Sequence, residues 1–222
     1  MLRPPMPTKA ERSDATRQAL VRVARRLFAK HGFAETSTEA IVQAAGVTRG
    51  ALYHQFRDKT ALFEAVYEDI ERDLVARVAA AVDGIDDPMT ILRRGAEVFL
   101  DACLDADVSR VVLLEGPAVL GWAKWREIDQ AYGLGMVRTA LEIAAAAGAV
   151  KSVPLDPLAH VLMGGLVEGS LYLANAPDKA AARAEVGAAI GALIEGITAP
   201  SGTGKGKAKP KAKPNAKVTR RS

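Results

Sequence analysis

The stretch Glu35–Phe63, ETSTEAIVQAAGVTRGALYHQFRDKTALF, decides the fold. It reads as two short helices joined by a glycine turn, with an aromatic exit into a third helix. Thr36 and Glu39 stand at the spacing of a capping box, in which a hydroxyl and a carboxylate satisfy each other's backbone N–H at a helix start. Ala40, Ile41, Ala44 and Ala45 then form one inward stripe. Gly46 follows, where a left-handed backbone costs least, and Val47 plugs the angle between the helices. Thr48 can cap the second helix. Its Ala51, Leu52 and Phe56 face inward, while Thr48, Arg49, Tyr53 and His54 face out. Asp58 caps the next helix, which carries Leu62, Phe63 and Val66. This is the outline of a helix-turn-helix, whose second helix enters the major groove of DNA.

Outward from this segment, apolar residues recur at three- and four-residue spacing and no alternating strand pattern is found, so the fold class is all-α. The 222 residues suffice for one or two cores. Formal net charge is +4, distributed unevenly: residues 1–67 hold 11 basic and 6 acidic side chains, residues 68–198 hold 11 and 20, and residues 199–222 hold 8 and none. A basic head on an acidic body fits a nucleic-acid reader carried by a unit with another task. Cys103 is the single cysteine, so no intramolecular disulfide forms and a reducing compartment is expected. No stretch reaches the roughly 18 apolar residues of a membrane span, and MLRPPMPTK lacks an apolar signal core. A cytoplasmic protein with no membrane partner is expected.

Four regions follow. Residues 1–12 form a loose basic arm, either plainly disordered or touching DNA. Residues 13–67 form the helix-turn-helix domain, its first helix running from about Ser13 to His31 with Ala19 or Leu20, Val23, Leu27 and Phe28 inward and Gly32 closing it. Residues 68–198 form a helical body. Here the fourth helix runs from Lys59 to about Val82, Pro88 opens a fifth, and a short helix from Val108 to Leu114 ends at Glu115-Gly116-Pro117. The segment Trp122–Gly148 is helical again, and two last helices cover about Asp156–Asn175 and Asp178–Ile197. Residues 199–222 are a low-complexity, Lys-rich, disordered tail, either solubilising or contacting DNA without sequence preference. Gly165 and Gly169, like Gly187 and Gly191, are four apart. Small residues so spaced let helices approach closely; a face shared with a second subunit through the last two helices is expected, with ordinary packing within the subunit as the alternative.

The segment Thr36–Phe63 resembles the N-terminal domain of TetR-family transcriptional regulators. It carries the family's Ala45-Gly46-Val47 turn, then Tyr53, Phe56, Lys59 and the pair Leu62-Phe63. The likeness covers about residues 13–67. Leu113-Leu114-Glu115-Gly116-Pro117 with Trp122, Trp125 and Arg126 also resembles a C-terminal subgroup. The resemblance implies a homodimer with a three-helix DNA-binding head and a ligand-sensing, dimerising body, in which a small molecule shifts the fourth helix and releases DNA.

On the head, Arg49 can pair bidentately with guanine or contact phosphate. Thr38, Thr48, Gly50, Tyr53 and His54 are further candidate DNA contacts, Gly50 by removing a side chain where backbone and duplex meet. Lys59, at a helix N-terminus, attracts phosphate. In the body, Phe99, Cys103, Trp122, Trp125, Tyr132 and Met136 are the candidate lining of a largely apolar effector site. For each of these, ordinary core packing is the competing assignment. His31, His54 and His160 show no metal-ligand spacing, and neither a phosphate-cradling loop nor a nucleophile elbow occurs. No cofactor, metal or enzymatic activity is therefore expected. The function read here is a ligand-responsive dimeric regulator, most simply a repressor on a palindromic operator in double-stranded DNA. The alternative is a non-specific architectural protein using its basic tail.

Overall fold

The computed structural model of the chain describes residues 8–200; the first part of the expected arm (1–7) and the Lys-rich stretch 201–222 lie outside them. Among the described residues the chain is a succession of helices, with one isolated antiparallel bridge between Val150 and Thr198.

Helix α1 (Lys9–Glu35) starts before the expected Ser13, so residues 9–12 are its first turn rather than arm. Thr8 and Glu11 supply the reason. The Thr8 N–H donates to the Glu11 carboxylate at 2.6 Å, and the Glu11 N–H donates to the Thr8 hydroxyl at 3.2 Å, which completes a capping box. Gly32 interrupts the regular coil with φ +84°. Phe33 then folds back, its ring 5.8 Å from Phe28 and 5.3 Å from Phe63.

Helix α2 (Thr38–Ala45) is capped by Ser37, which accepts from the Ala40 N–H at 3.1 Å, and not by Thr36. Thr36 is buried and donates its hydroxyl to the Gly32 carbonyl at 2.7 Å. The break in α1 leaves carbonyls in need of donors, and this need outweighs the capping-box spacing. The inward stripe also differs from expectation. Ile41 is buried with Val42 and Ala45 packed beside it, whereas Ala40 and Ala44 are exposed. Gly46 takes the left-handed conformation (φ +66°) and returns two N–H···O bonds to α2. Helix α3 (Arg49–Gln55) is capped by Thr48, and α4 (Lys59–Val82) by Asp58, both as expected. Leu20, Phe28, Ile41, Leu52, Leu62, Phe63 and Val66 close the head core.

The body begins with α5 (Pro88–Ala102), capped by Asp87. Val108–Glu115 then forms a wide π-helical coil that runs straight into α6 (Gly116–Leu120). The expected stop at Glu115-Gly116-Pro117 is therefore not one: Pro117 sits in the first turn of α6, where a missing N–H costs nothing. The helical segment expected from Trp122 to Gly148 consists of two helices, α7 (Trp122–Ala131) and α8 (Gly133–Ala146), broken at Tyr132 (φ −115°, ψ −91°). A Cβ at Gly133 would collide with the Met163 methyl, so the break admits a side chain from α9 (Leu155–Asn175). Helix α10 (Lys179–Ile197) packs on α9. Gly165 and Gly169 face Ile190, Leu193 and Val186 of α10 in the same chain. That pair of glycines therefore serves packing within the subunit, contrary to the expected role. Gly191 faces open space.

The head is tied to the body by charges. The Arg25 guanidinium on α1 meets Asp69 at 3.0 Å, Asp107 at 2.7 Å, and Asp73. Burial opposes its charge, but Asp73, Asp107 and Asp69 together outweigh that, and its pKa is raised. Glu115, ending the π-helical coil, accepts the Phe33 N–H at 2.8 Å. Arg110 of the same coil reaches the Lys30 carbonyl at 3.4 Å.

Candidate nucleic-acid interface and interior cavity

Helix α3 divides cleanly. Leu52 and, just beyond the helix, Phe56 are buried, while Thr48, Arg49, Gly50, Tyr53 and His54 are exposed. The Thr48 hydroxyl accepts the Ala51 N–H at 3.1 Å, which fixes the start of the helix. Arg49 is two-thirds exposed. Its guanidinium lies 3.2 Å from Glu39 of α2 and 5.5 Å from the Tyr53 ring centre, so it is held over the outer face. An exposed pair of this kind is weak and leaves the guanidinium free to exchange partners. Thr38 is directed to Glu39 at 3.2 Å. A Cβ at Gly50 would meet nothing closer than the Thr48 hydroxyl at 3.9 Å. Nothing within the subunit therefore requires glycine there.

Lys59 differs from its expected role. Its ammonium donates to the Phe33 carbonyl at 2.8 Å and the Thr36 carbonyl at 3.0 Å, and lies 4.2 Å from the Phe33 ring centre. Turned inward, it closes the end of α1 rather than presenting a free cation to phosphate. The orphan carbonyls behind Gly32 attract it for the same reason they attract Thr36. Two partners of the recognition helix went unnoticed in the sequence. Arg17 stacks 4.5 Å over Phe56, and Ser13 accepts from the Gln55 amide at 2.8 Å. Both lie on α1, far away in sequence.

The body encloses a cavity of about 170 Å³ between α4, α5, the π-helical coil, α7, α8 and α9. Of the expected lining residues, Phe99, Trp125 and Met136 border it. Cys103, Trp122 and Tyr132 do not. Cys103 is buried beside the cavity wall, near Ser170 and Glu71, with its thiol pushed up to about 12 by burial. Trp122, in the first turn of α7, is 64% exposed and stacks on Trp125 at 5.1 Å. Tyr132 sits at the α7–α8 break and packs on the head-side core.

The wall also contains residues the sequence did not single out: Tyr67, Glu71 and Leu74 from α4, Asp129 from α7, and Met163 and Val167 from α9. Glu71 and Asp129 are both only 7% exposed. Burial pushes the Glu71 carboxyl up to about 7, and the Asp129 charge adds to this. Asp129 is also raised by burial, with Arg126 working against it at 2.7 Å. Arg126 in turn lies 4.7 Å from the ring centres of both Trp122 and Trp125. Tyr67 is raised by burial and then by Glu71. The available signal was that Tyr67 and Glu71 fall on the same helical stripe as Leu74 and Val78, the buried face of α4.

A compact helix-turn-helix head with an outward-facing second helix, joined to an all-α body around an internal cavity, is the architecture of a DNA-binding transcriptional regulator. Comparison with known proteins gives the family. Residues 20–66 match the model for bacterial regulatory proteins of the tetR family, and residues 89–197 match the tetracyclin repressor-like C-terminal domain. The crystal structure of a TetR-family transcriptional regulator from Pectobacterium atrosepticum is 30% identical, with a TM-score of 0.75 over 87% of this chain and 99% of that one. The chain is 43% identical to the transcriptional regulator AcrR of Shigella flexneri over 109 residues, 48% of this chain and 49% of that protein. It is 26% identical to the Tn10 TetC protein of Escherichia coli over 175 residues, 79% and 88% of the two. The chain belongs to the TetR family of transcriptional regulators. Among the described residues no helix is long and apolar enough to cross a membrane.

Proposed function

We propose that this protein is a dimeric repressor that binds a near-palindromic operator and releases it when a small molecule fills the body cavity. The observation that carries the reading is the outer face of α3. Leu52 and Phe56 satisfy the interior, while Arg49, Tyr53 and His54 stand exposed on a helix whose start is fixed by Thr48. In this reading Arg49 reads a base edge, Tyr53, His54, Thr38 and Thr48 hold phosphates, and Gly50 leaves room for the duplex. The head spans residues 13–67 and the body 68–198, with α4 shared between them. A DNA-reading role places the protein in the cytoplasm.

The last two helices form the dimer seam. Val161 and Tyr172 on α9 and Leu193 on α10 are at least half exposed, and Ala181, Ala184, Ala188 and Ala192 give α10 a small-residue outer face. Two-fold pairing there sets two copies of α3 toward successive grooves of one duplex. The effector cavity touches α4 at Tyr67, Glu71 and Leu74 and the π-helical coil at Val112 and Leu113. Both elements also hold the head, through Asp69 and Asp73 and through Glu115.

Selection of bound DNA fragments followed by footprinting tests the reading. The expected result is a symmetric protected site with two half-sites. Arg49→Ala should relax preference at one base pair per half-site, costing about 1–3 kcal/mol per contact. Uniform, asymmetric protection of any sequence would overturn it.

A further inference from the structure

We propose that the body cavity takes a small organic monocation, an aryl- or alkylammonium of single-ring size, with its charge on the Glu71 carboxylate. The inference rests on the reading of this cavity as the effector site.

Size comes first. A cavity of about 170 Å³ is close to the engineered one of about 150 Å³ that admits benzene. It has room for one ring and a few methyl groups. Apart from Tyr67, Glu71 and Asp129 the wall is mostly apolar: Leu74, Val78, Phe99, Val112, Met163 and Val167 among others.

Charge comes second. The titratable groups that face Glu71 are Tyr67 on its own helix, Asp129 from α7 and Cys103 at the end of α5. None of them is a cation. Arg126 is committed to Asp129, and among the described residues no Lys or Arg pairs with Glu71, whose side-chain partner is the neutral Tyr67 hydroxyl. A carboxylate more than nine-tenths buried without a counter-charge is costly. This one borders open space within the protein, so a bound cation can supply what the fold leaves out. An anionic ligand would face two carboxyl groups. A small metal ion would find few oxygens to replace its water, and among the described residues no cluster of three or more His, Cys, Asp or Glu is present. An organic ammonium is more cheaply stripped of water, and Phe99 and Trp125 in the wall are ring systems of the kind that attract cations.

Glu71 is protonated at low pH and ionises near neutrality, so the affinity for a permanent cation should rise with pH across that range. The test uses the full chain and two isosteric probes: benzyltrimethylammonium and its uncharged carbon analogue, neopentylbenzene. Binding is followed by calorimetry at pH 6 and pH 8, together with displacement of a selected DNA fragment. The expected result is that the cation binds at least ten-fold tighter than the neutral probe, several-fold tighter at pH 8 than at pH 6, and releases DNA. Glu71→Gln, shown to be folded by its thermal transition, should lose about ten-fold in cation affinity and the pH dependence. Equal binding of the two probes, or unchanged cation binding by Glu71→Gln, would overturn the charge assignment while leaving the effector site in place. Binding of neither probe, with DNA retained throughout, would overturn both.

Discussion

The head closes on Phe28, Phe33 and Phe63, whose ring centres lie 5.3–5.8 Å apart, and its helix ends are satisfied by Thr8, Ser37, Thr48, Asp58, Thr36 and Lys59. The body, of the same helical material, keeps a cavity of about 170 Å³, a buried carboxyl without a counter-ion, a π-helical coil and a helix broken at Tyr132. The head core seats the outward-facing helix α3 on buried Leu52 and Phe56, and displaced side chains in a packed interior have nowhere to go. The body keeps unfilled space and an uncompensated buried carboxyl, features that leave a structure room to rearrange.

The largest expected effect lies on the rigid side of this contrast. Phe63→Ala should cost about 3–5 kcal/mol in denaturant unfolding. A loss below about 1 kcal/mol would mean that the head is no better packed than the body. The next lies on the compliant side. The folded carboxyl of Glu71 holds its proton to about pH 7, whereas in the unfolded chain it loses it in the usual carboxylate range. Between those limits the folded state binds more protons, so stability falls as pH rises toward 7, by roughly 2–3 kcal/mol for this group. Glu71→Gln should flatten that slope in melts from pH 4.5 to 7.5, and an unchanged slope would show the carboxyl to be ordinarily solvated. The smallest concerns Lys59. Lys59→Met should lower head stability by about 1 kcal/mol and leave the salt dependence of DNA binding unaltered. A drop of about one in that slope would instead mark a direct phosphate contact.

These contrasts also explain what was legible in the sequence. The head's elements follow local rules, such as Gly46 at a left-handed turn and hydroxyl or carboxylate caps at Thr48 and Asp58, and local rules can be read from one chain. Where the sequence misled, a non-local need intervened. The carbonyls freed at Gly32 took both Thr36 and Lys59 away from their expected roles, and Met163 from α9 split the segment after Trp122. The cavity was half visible. Phe99, Trp125 and Met136 stood out as aromatic or flexible apolar residues, but Trp122 has the same composition and lies outside, since only the rotation of α7 separates the two tryptophans. Glu71 and Asp129 looked like ordinary solvated charges among the many acidic residues of the body, and only the assembly of the surrounding helices reveals that they line the interior.

Cys103 gives the molecule a built-in clock. The sulfur is 1% exposed and resists ionisation up to about pH 12, so alkylating reagents and peroxide cannot reach a reactive thiolate while the wall of the body stays shut. The rate at which a maleimide tags this one atom should therefore report how readily the body opens, with no engineered label, and an occupant that braces the interior should slow it.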